Sequence, residues 1–166
     1  MRLTRRGLQI ALGMIWLLDA LLQFQPAMFT RSFPDQVLAP TAQGNPAWVA
    51  GPVHWSAALI AHHVVLADTA FAITQLLIAL AILWRPTTRL GLALSVPWAL
   101  SVWWLGEGLG GVLTSGPSAV TGAPGAVILY ALLAVLLWPV PDAPHGGPLA
   151  AASPAGPVAA RLAWVA

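Results

Sequence analysis

The sequence predicts an all-α integral membrane protein, a bundle of four transmembrane helices whose N-terminus and C-terminus are both cytoplasmic. Of the 166 residues, 58% are hydrophobic and 7% are charged, whereas a soluble domain carries about 25% charged residues. The hydrophobic residues form four long runs, separated by segments rich in proline and glycine. One domain of this length cannot hide four such runs from water, so we expect lipid to be the solvent for much of the surface.

The four apolar runs have the lengths and the ends of membrane-spanning helices. The first run follows the basic segment 1–6, and about twenty residues at about 1.5 Å each cross the roughly 30 Å hydrocarbon core. The length of this run, Asp19 within it and the lack of an A-x-A cleavage site argue against a signal peptide. The predicted spans are 7–28, 54–84, 88–106 and 125–140, with a proline-rich loop at 30–53, a glycine-rich connection at 107–124 and a disordered cytoplasmic tail at 141–166.

The placement of the arginines predicts the orientation in the membrane. All seven basic residues are arginine, and with a cytoplasmic N-terminus only Arg31 lies on the outer side. This asymmetry follows the positive-inside rule. The absence of lysine and the abundance of Ala, Gly and Pro are typical of a GC-rich bacterial genome, so we expect the protein in a bacterial inner membrane. The net charge of +2 without a basic stripe argues against a nucleic-acid partner.

The sequence carries little that favours an enzyme. It contains no cysteine, which excludes disulfides, thiolate metal sites, iron–sulfur clusters and thiol redox catalysis. Neither Ser115 nor Ser118 stands in a G-x-S-x-G nucleophile motif. The glycines of 106–111 do not have the spacing of a nucleotide-binding loop, and we expect them to allow tight turns and close helix approaches.

Ionisable side chains within the apolar runs are the strongest functional signal. Counting along the helices places Asp19, His62 and His63 roughly 10–12 Å below the outer boundary. Glu107 lies at the outer rim, and Asp68 lies near the midplane. An ionised side chain that faces lipid costs about 2.5–3.5 kcal/mol, so these groups should turn inward. No Lys or Arg lies mid-span, so the acids should be protonated, paired with histidine or bound to a cation.

The sequence therefore predicts a polar pocket in the outer half of the bundle. Asp68 and Gln75 are seven residues apart and share one helix face, while His62 and Thr69 share another. Each group also has a structural interpretation, in which it forms hydrogen bonds across the bundle or, for Glu107, accepts bonds from the glycines that follow. The ligand-binding candidates are Asp19, His62, Glu107, Asp68, Trp104 and Tyr130.

A metal site at His62 and His63 stays open as a prediction. The two residues are adjacent and therefore point about 100° apart on a helix, so both cannot face one centre fully. A pair of histidines separated by four residues would indicate a metal site more clearly.

Three segments resemble a signature of uncharacterised multi-span membrane proteins from GC-rich bacteria. They are Trp104-Leu-Gly-Glu-Gly-Leu-Gly-Gly-Val-Leu-Thr114, Gly122-Ala-Pro-Gly-Ala-Val-Ile-Leu-Tyr130 and Leu18-Asp-Ala-Leu-Leu-Gln-Phe-Gln-Pro-Ala-Met-Phe29. The resemblance covers most of residues 7–140 and implies no established activity. In size and four-span layout the chain is also similar to the DoxX-type family, whose members are linked to quinone or thiosulfate redox systems.

The leading functional hypothesis is a multi-pass inner-membrane protein whose pocket binds or passes a cation, a proton or a small polar ligand, or an accessory subunit of a complex. One alternative is a redox-linked subunit or enzyme that binds haem, copper or a quinone through histidine. Another is a purely structural subunit. The expected partners are the lipid bilayer and other membrane subunits or a second copy of the chain.

Overall fold

The computed structural model describes residues 4–139, and that part of the chain is all-α with no β-strand. The α-helical prediction is therefore confirmed. The predicted tail at 141–166 lies outside the described residues. The five helices are α1 (Arg5–Gln23), α2 (Ala47–His62), α3 (Val64–Leu83), α4 (Thr88–Leu105) and α5 (Val127–Leu136).

The segment predicted as one helix over 54–84 is two helices in the structure. The chain leaves the helical conformation at His63, where φ is −137° and ψ is 45°. The segment predicted as a loop at 30–53 is also largely helical, because α2 already begins at Ala47 and short helical turns precede it. Pro34 and Pro40 each lie in the first positions of such a turn. A proline there loses no helical hydrogen bond, so these prolines start helices rather than prevent them.

Within residues 4–139, only α3 is both long enough and apolar enough to cross a membrane by length and composition. It has 20 residues and a mean hydropathy of 2.0. The predicted bundle of four spans is therefore not confirmed as such. The helix α2 has 16 residues and α5 has 10, which is less than the about 20 residues that a spanning helix needs. The helix α1 carries Arg5, Arg6 and Asp19 within its length.

The two arginines at the start of α1 define the directions of the neighbouring helices. Arg6 donates to the carbonyl oxygens of Ile82 (3.1 Å) and Leu83 at the end of α3. Arg5 donates to the carbonyl oxygen of Trp138, just beyond α5. The start of α1 therefore meets the C-terminal ends of α3 and α5, where cationic groups are favoured by the helix dipole. Thus α1 runs antiparallel to both helices, and α4 runs in the same direction as α1. We call this end of the bundle the arginine end.

The main core lies between α1, α3, α4 and α5. On α1 the buried residues recur every three or four positions and form one stripe that faces the other helices. Trp16 is at the centre of this stripe, and its ring meets Tyr130 edge-to-face at 5.1 Å between centroids. The Trp16 indole N–H also donates to the hydroxyl oxygen of Ser95 at 2.9 Å. This polar contact within the core joins α1 to α4.

We expect the Trp16–Ser95 contact to appear as an energetic coupling. Trp16→Phe should lower the free energy of unfolding by about 2–3 kcal/mol, because it removes packed volume and the donor to a buried hydroxyl. Ser95→Ala should lower it by about 1–2 kcal/mol, because it leaves the indole N–H without an acceptor. The double variant should lose about 1 kcal/mol less than the sum. Denaturant unfolding in mild detergent measures all three, and simple additivity would show that the hydrogen bond contributes nothing.

Candidate functional site

A cavity of about 260 Å³ lies in the half of the bundle away from the arginine end. It opens between α1, α2, α3 and α4, and the turn at 33–38 contributes to its wall. The wall is mostly apolar. The polar side chains among the lining residues are Gln23, Ser56, Gln75, Trp98, Ser101 and Glu107.

Three buried polar atoms on this wall have no hydrogen-bond partner among the described residues. They are Oε1 of Gln75, the indole Nε1 of Trp98 and Oε2 of Glu107. A buried polar atom without a partner costs about 1–3 kcal/mol, and native structures contain few of them. All three residues line the same cavity, so this wall is where the described part of the chain leaves polar atoms without partners.

Asp68 lies behind this wall and is joined to it through Gln23. The side-chain amide of Gln23 donates to Oδ1 of Asp68. Asp68 has no exposed surface, and its second oxygen, Oδ2, has no hydrogen-bond partner among the described residues. Asp68 and Gln75 are both buried on one face of α3, as the sequence predicts.

Asp19, Tyr130 and Glu107 form a second polar group beside the cavity. The Tyr130 hydroxyl lies near the Asp19 carboxylate, and Asp19 is close enough to Glu107 for the two charges to repel each other. The backbone N–H groups of Ala126 and Val127, at the start of α5, stabilise the Glu107 carboxylate. Glu107 therefore serves the N-terminus of α5, where a negative charge is favoured. The predicted hydrogen bonds from the following glycines to the Glu107 side chain do not form in the structure.

The loop after α4 holds Glu107 in this position. From Gly108 to Gly111 the backbone is left-handed, with φ between 55° and 69°, and Leu109 shares this conformation with φ of 57°. A methyl group on Gly108 would overlap the carbonyl oxygen of Thr41, and one on Gly110 would overlap the carbonyl oxygen of Pro124. The predicted role of these glycines in tight turning and close approach is thus confirmed.

Glu107 should make the stability of the protein depend on pH. Burial raises the pKa of Glu107 above its ordinary value of 4.5; the N–H groups of Val127 and Ala126 lower it, and Asp19 raises it. Because the folded state holds the Glu107 proton more tightly, the contribution of Glu107 to stability is fully present below pH 4.5 and is lost as the pH rises through the pKa of Glu107 in the folded protein. In Glu107→Gln, the free energy of unfolding should decrease less steeply between pH 4.5 and neutral pH than it does in the native protein. Parallel pH profiles would contradict this expectation.

The predicted histidines do not join the acids. His62 and His63 are exposed and line a separate open groove with Phe29 and Arg31. The depth predicted for them assumed one continuous helix over 54–84, and the break at His63 removes that assumption. Within residues 4–139, no group of three or more His, Asp or Glu side chains has the arrangement of a metal site.

Trp104 also lies outside the cavity wall and is 44% exposed. Its neighbour Trp103 is the one that contributes to the loop, because its indole donates to the carbonyl oxygen of Pro124 at 2.6 Å. Gln23, Trp98 and Ser101 were not predicted as site residues. The sequence could have indicated Gln23, because a side-chain amide within an apolar run needs a hydrogen-bond partner across the bundle.

No family model, curated protein or solved structure matches this chain significantly. The resemblance to multi-span proteins of GC-rich bacteria and the layout shared with DoxX-type proteins therefore stay predictions. The functional argument depends on the geometry of the cavity.

Proposed function

We propose that the protein is a multi-pass inner-membrane protein that binds a small ligand in the cavity between α1, α2, α3 and α4. The observation that carries this proposal is a cavity of about 260 Å³ lined by three residues whose buried polar atoms have no hydrogen-bond partner within residues 4–139. Ligand sites are typically apolar cavities with a few convergent polar groups, and drug-sized ligands occupy volumes of about 300 Å³ or more, so this slightly smaller cavity suits a smaller ligand.

The apolar outer surface supports the membrane part of the proposal. The helix α3 exposes large aliphatic side chains along its length, and its single charged residue, Asp68, is buried. The helix α5 also exposes large aliphatic side chains and carries no charge. Monomeric soluble proteins rarely expose apolar patches of this extent. The exposed side chains concerned are Val65, Leu66, Ile73, Leu77 and Leu80 on α3, and Leu129, Leu132, Val135 and Leu136 on α5.

Cysteine labelling in cells tests the membrane part, because the native chain has no cysteine. Ser118→Cys places a thiol in the exposed connection between α4 and α5, and Pro86→Cys places one at the arginine end. A membrane-impermeant maleimide should label position 118 in intact cells, and position 86 only after the membrane is permeabilised. The protein should also stay in the membrane after alkaline carbonate extraction. Equal labelling at both positions, or release by carbonate, would contradict the proposal.

A second cysteine tests the cavity. Ser101→Cys puts a reporter thiol on the cavity wall, and its alkylation rate by N-ethylmaleimide can be measured in mild detergent. Neopentylbenzene, a neutral probe of suitable size, should slow the reaction in a saturable manner. Val102→Phe fills the cavity and should abolish this protection, whereas Leu100→Phe, at an exposed position of α4 outside the cavity, should preserve it. Equal behaviour of the two variants would show that the probe binds elsewhere.

A further inference from the structure

We infer that the cavity takes a small organic cation, an ammonium group carried on an apolar body. This inference rests on the proposed function, because it names the class of ligand for the same cavity. Three independent features of the wall support it, namely its charge, its aromatic rings and its buried acceptor.

The first feature is an excess of negative charge without a basic partner. Within residues 4–139, Glu107 is the one ionisable residue that lines the cavity, and no Arg, Lys or His of this part of the chain lines it. Asp19 repels Glu107 from behind, and Asp68 is reached through Gln23. The backbone N–H groups at the start of α5 stabilise the Glu107 carboxylate but carry no full positive charge, and removing a buried carboxylate from water is offset best by a paired positive group. A cationic ligand supplies that group, whereas an anionic ligand would add to the repulsion.

The second feature is a set of aromatic rings on the same wall. Phe71 and Trp98 lie 5.8 Å apart between ring centroids, at an interplanar angle of 58°, and Phe33 also lines the cavity. A cation within about 6 Å of a ring centroid is attracted to the ring face, and most strongly to tryptophan. The rings and the aliphatic side chains of Leu38, Ile60 and Leu105 would enclose an apolar body.

The third feature is a deeply buried acceptor, on a lining residue, that lacks a donor. Gln75 is 8% exposed, lines the cavity and has no partner for Oε1. No donor for this oxygen lies within residues 4–139, and Asp68, which lies behind the wall, does not line the cavity. Ammonium groups that carry protons donate to acceptors of this kind. The Trp98 N–H can only donate, so it would bond to an oxygen atom of the ligand rather than to the ammonium group.

The dimensions of the cavity suit a ligand with one ring. Trp98 and Leu105 both line it and are seven residues apart on α4, which corresponds to about 10 Å along the helix. Benzyltrimethylammonium is therefore a suitable probe, because it combines a permanent positive charge with one aromatic ring. Neopentylbenzene is its neutral counterpart, with carbon in place of nitrogen and the same shape. The comparison between them isolates the contribution of charge.

The test measures protection of the Ser101→Cys thiol by each probe in the full-length protein in mild detergent. Benzyltrimethylammonium should protect at a concentration at least about ten-fold lower than neopentylbenzene. A ten-fold difference in dissociation constant needs a binding free energy only about 1.4 kcal/mol more favourable, which the attraction between the cation and Glu107 should supply. Glu107→Gln should reduce this preference about ten-fold. Val102→Phe should abolish protection by both probes.

Each outcome has a distinct meaning. Equal protection by the two probes in the native background would overturn the inference and leave the proposed cavity intact, and this comparison needs no variant at Glu107. Protection by neopentylbenzene alone would have the same meaning and would point to a neutral ligand. Protection by neither probe would overturn the proposed function as well. A cation preference that Glu107→Gln leaves unchanged would also overturn the assignment of Glu107 as the counter-ion.

Discussion

Replacing Gly110 with alanine should lower the free energy of unfolding by about 3 kcal/mol. Gly110 has a φ of 60°, a backbone conformation that costs an L-residue roughly 1–2 kcal/mol. In addition, the new methyl group would overlap the carbonyl group of Pro124 and the backbone nitrogen of Gly125. Backbone atoms cannot move aside as a flexible side chain can, so the loop must shift. Thermal or denaturant unfolding in mild detergent measures the loss.

Gly111→Ala is the matched control for this prediction. Gly111 is the next residue in the same left-handed loop, with a φ of 69°, but a methyl group there would meet only Thr114, at 3.8 Å. Gly111→Ala should therefore show the conformational cost alone, roughly 1–2 kcal/mol. The difference between the variants measures the close approach of the loop to Pro124. If both variants lose equal stability, the overlap at Gly110 is relieved without cost.

Replacing Arg6 with methionine should also lower the free energy of unfolding by about 3 kcal/mol, because hydrogen bonds to a charged group contribute about 1.5–3 kcal/mol. The guanidinium donates to the carbonyl oxygens of Ile82 and Leu83 and to the hydroxyl of Thr88 at 3.2 Å. Methionine retains an apolar stem but removes the donor to the Leu83 carbonyl oxygen, while the Ile82 carbonyl oxygen keeps the Thr88 hydroxyl as a donor. Unfolding in mild detergent measures the change.

Two further substitutions define the origin of that loss. Arg6→Lys keeps the charge but has no planar fork of donors, so it should recover only part of the stability. Arg89→Met removes an exposed arginine from the same end of the bundle, and should change stability by no more than about 0.5 kcal/mol. A loss in Arg89→Met comparable to that in Arg6→Met would indicate a general effect of charge rather than the specific bonds.

Counting residues along a predicted helix located side chains correctly only where the helix is continuous. Asp19, Glu107 and Tyr130 lie on or beside unbroken helices, so counting residues from the ends placed them at the correct end of the bundle. The same counting failed for His62 and His63, because the chain leaves the helical conformation at His63. Nothing in the composition of that run distinguishes a long helix from two shorter ones.

The prolines illustrate a related difficulty. Proline lacks an N–H, which disrupts a helix interior but is harmless in the first turn. Pro34, Pro40 and Pro46 stand at the starts of helical segments, so the proline-rich segment is largely helical. Phe33 and Leu38 of this segment line the cavity. Only the neighbouring chain, which provides the packing for these short turns, decides between a loop and a series of helix starts.

The sequence by itself determined the all-α class and the glycine-dependent loop after α4, whereas the orientation given by the arginines stays a prediction. These features follow from local backbone chemistry and from the order of residues along the chain. Only the tertiary structure decided which polar atoms lack partners and that they surround one cavity. The cavity wall combines residues from Gln23 to Glu107, and its empty volume depends on how side chains from four helices and one turn fill the space between them. Packing of that kind is a property of the assembled bundle and has no counterpart in any single segment.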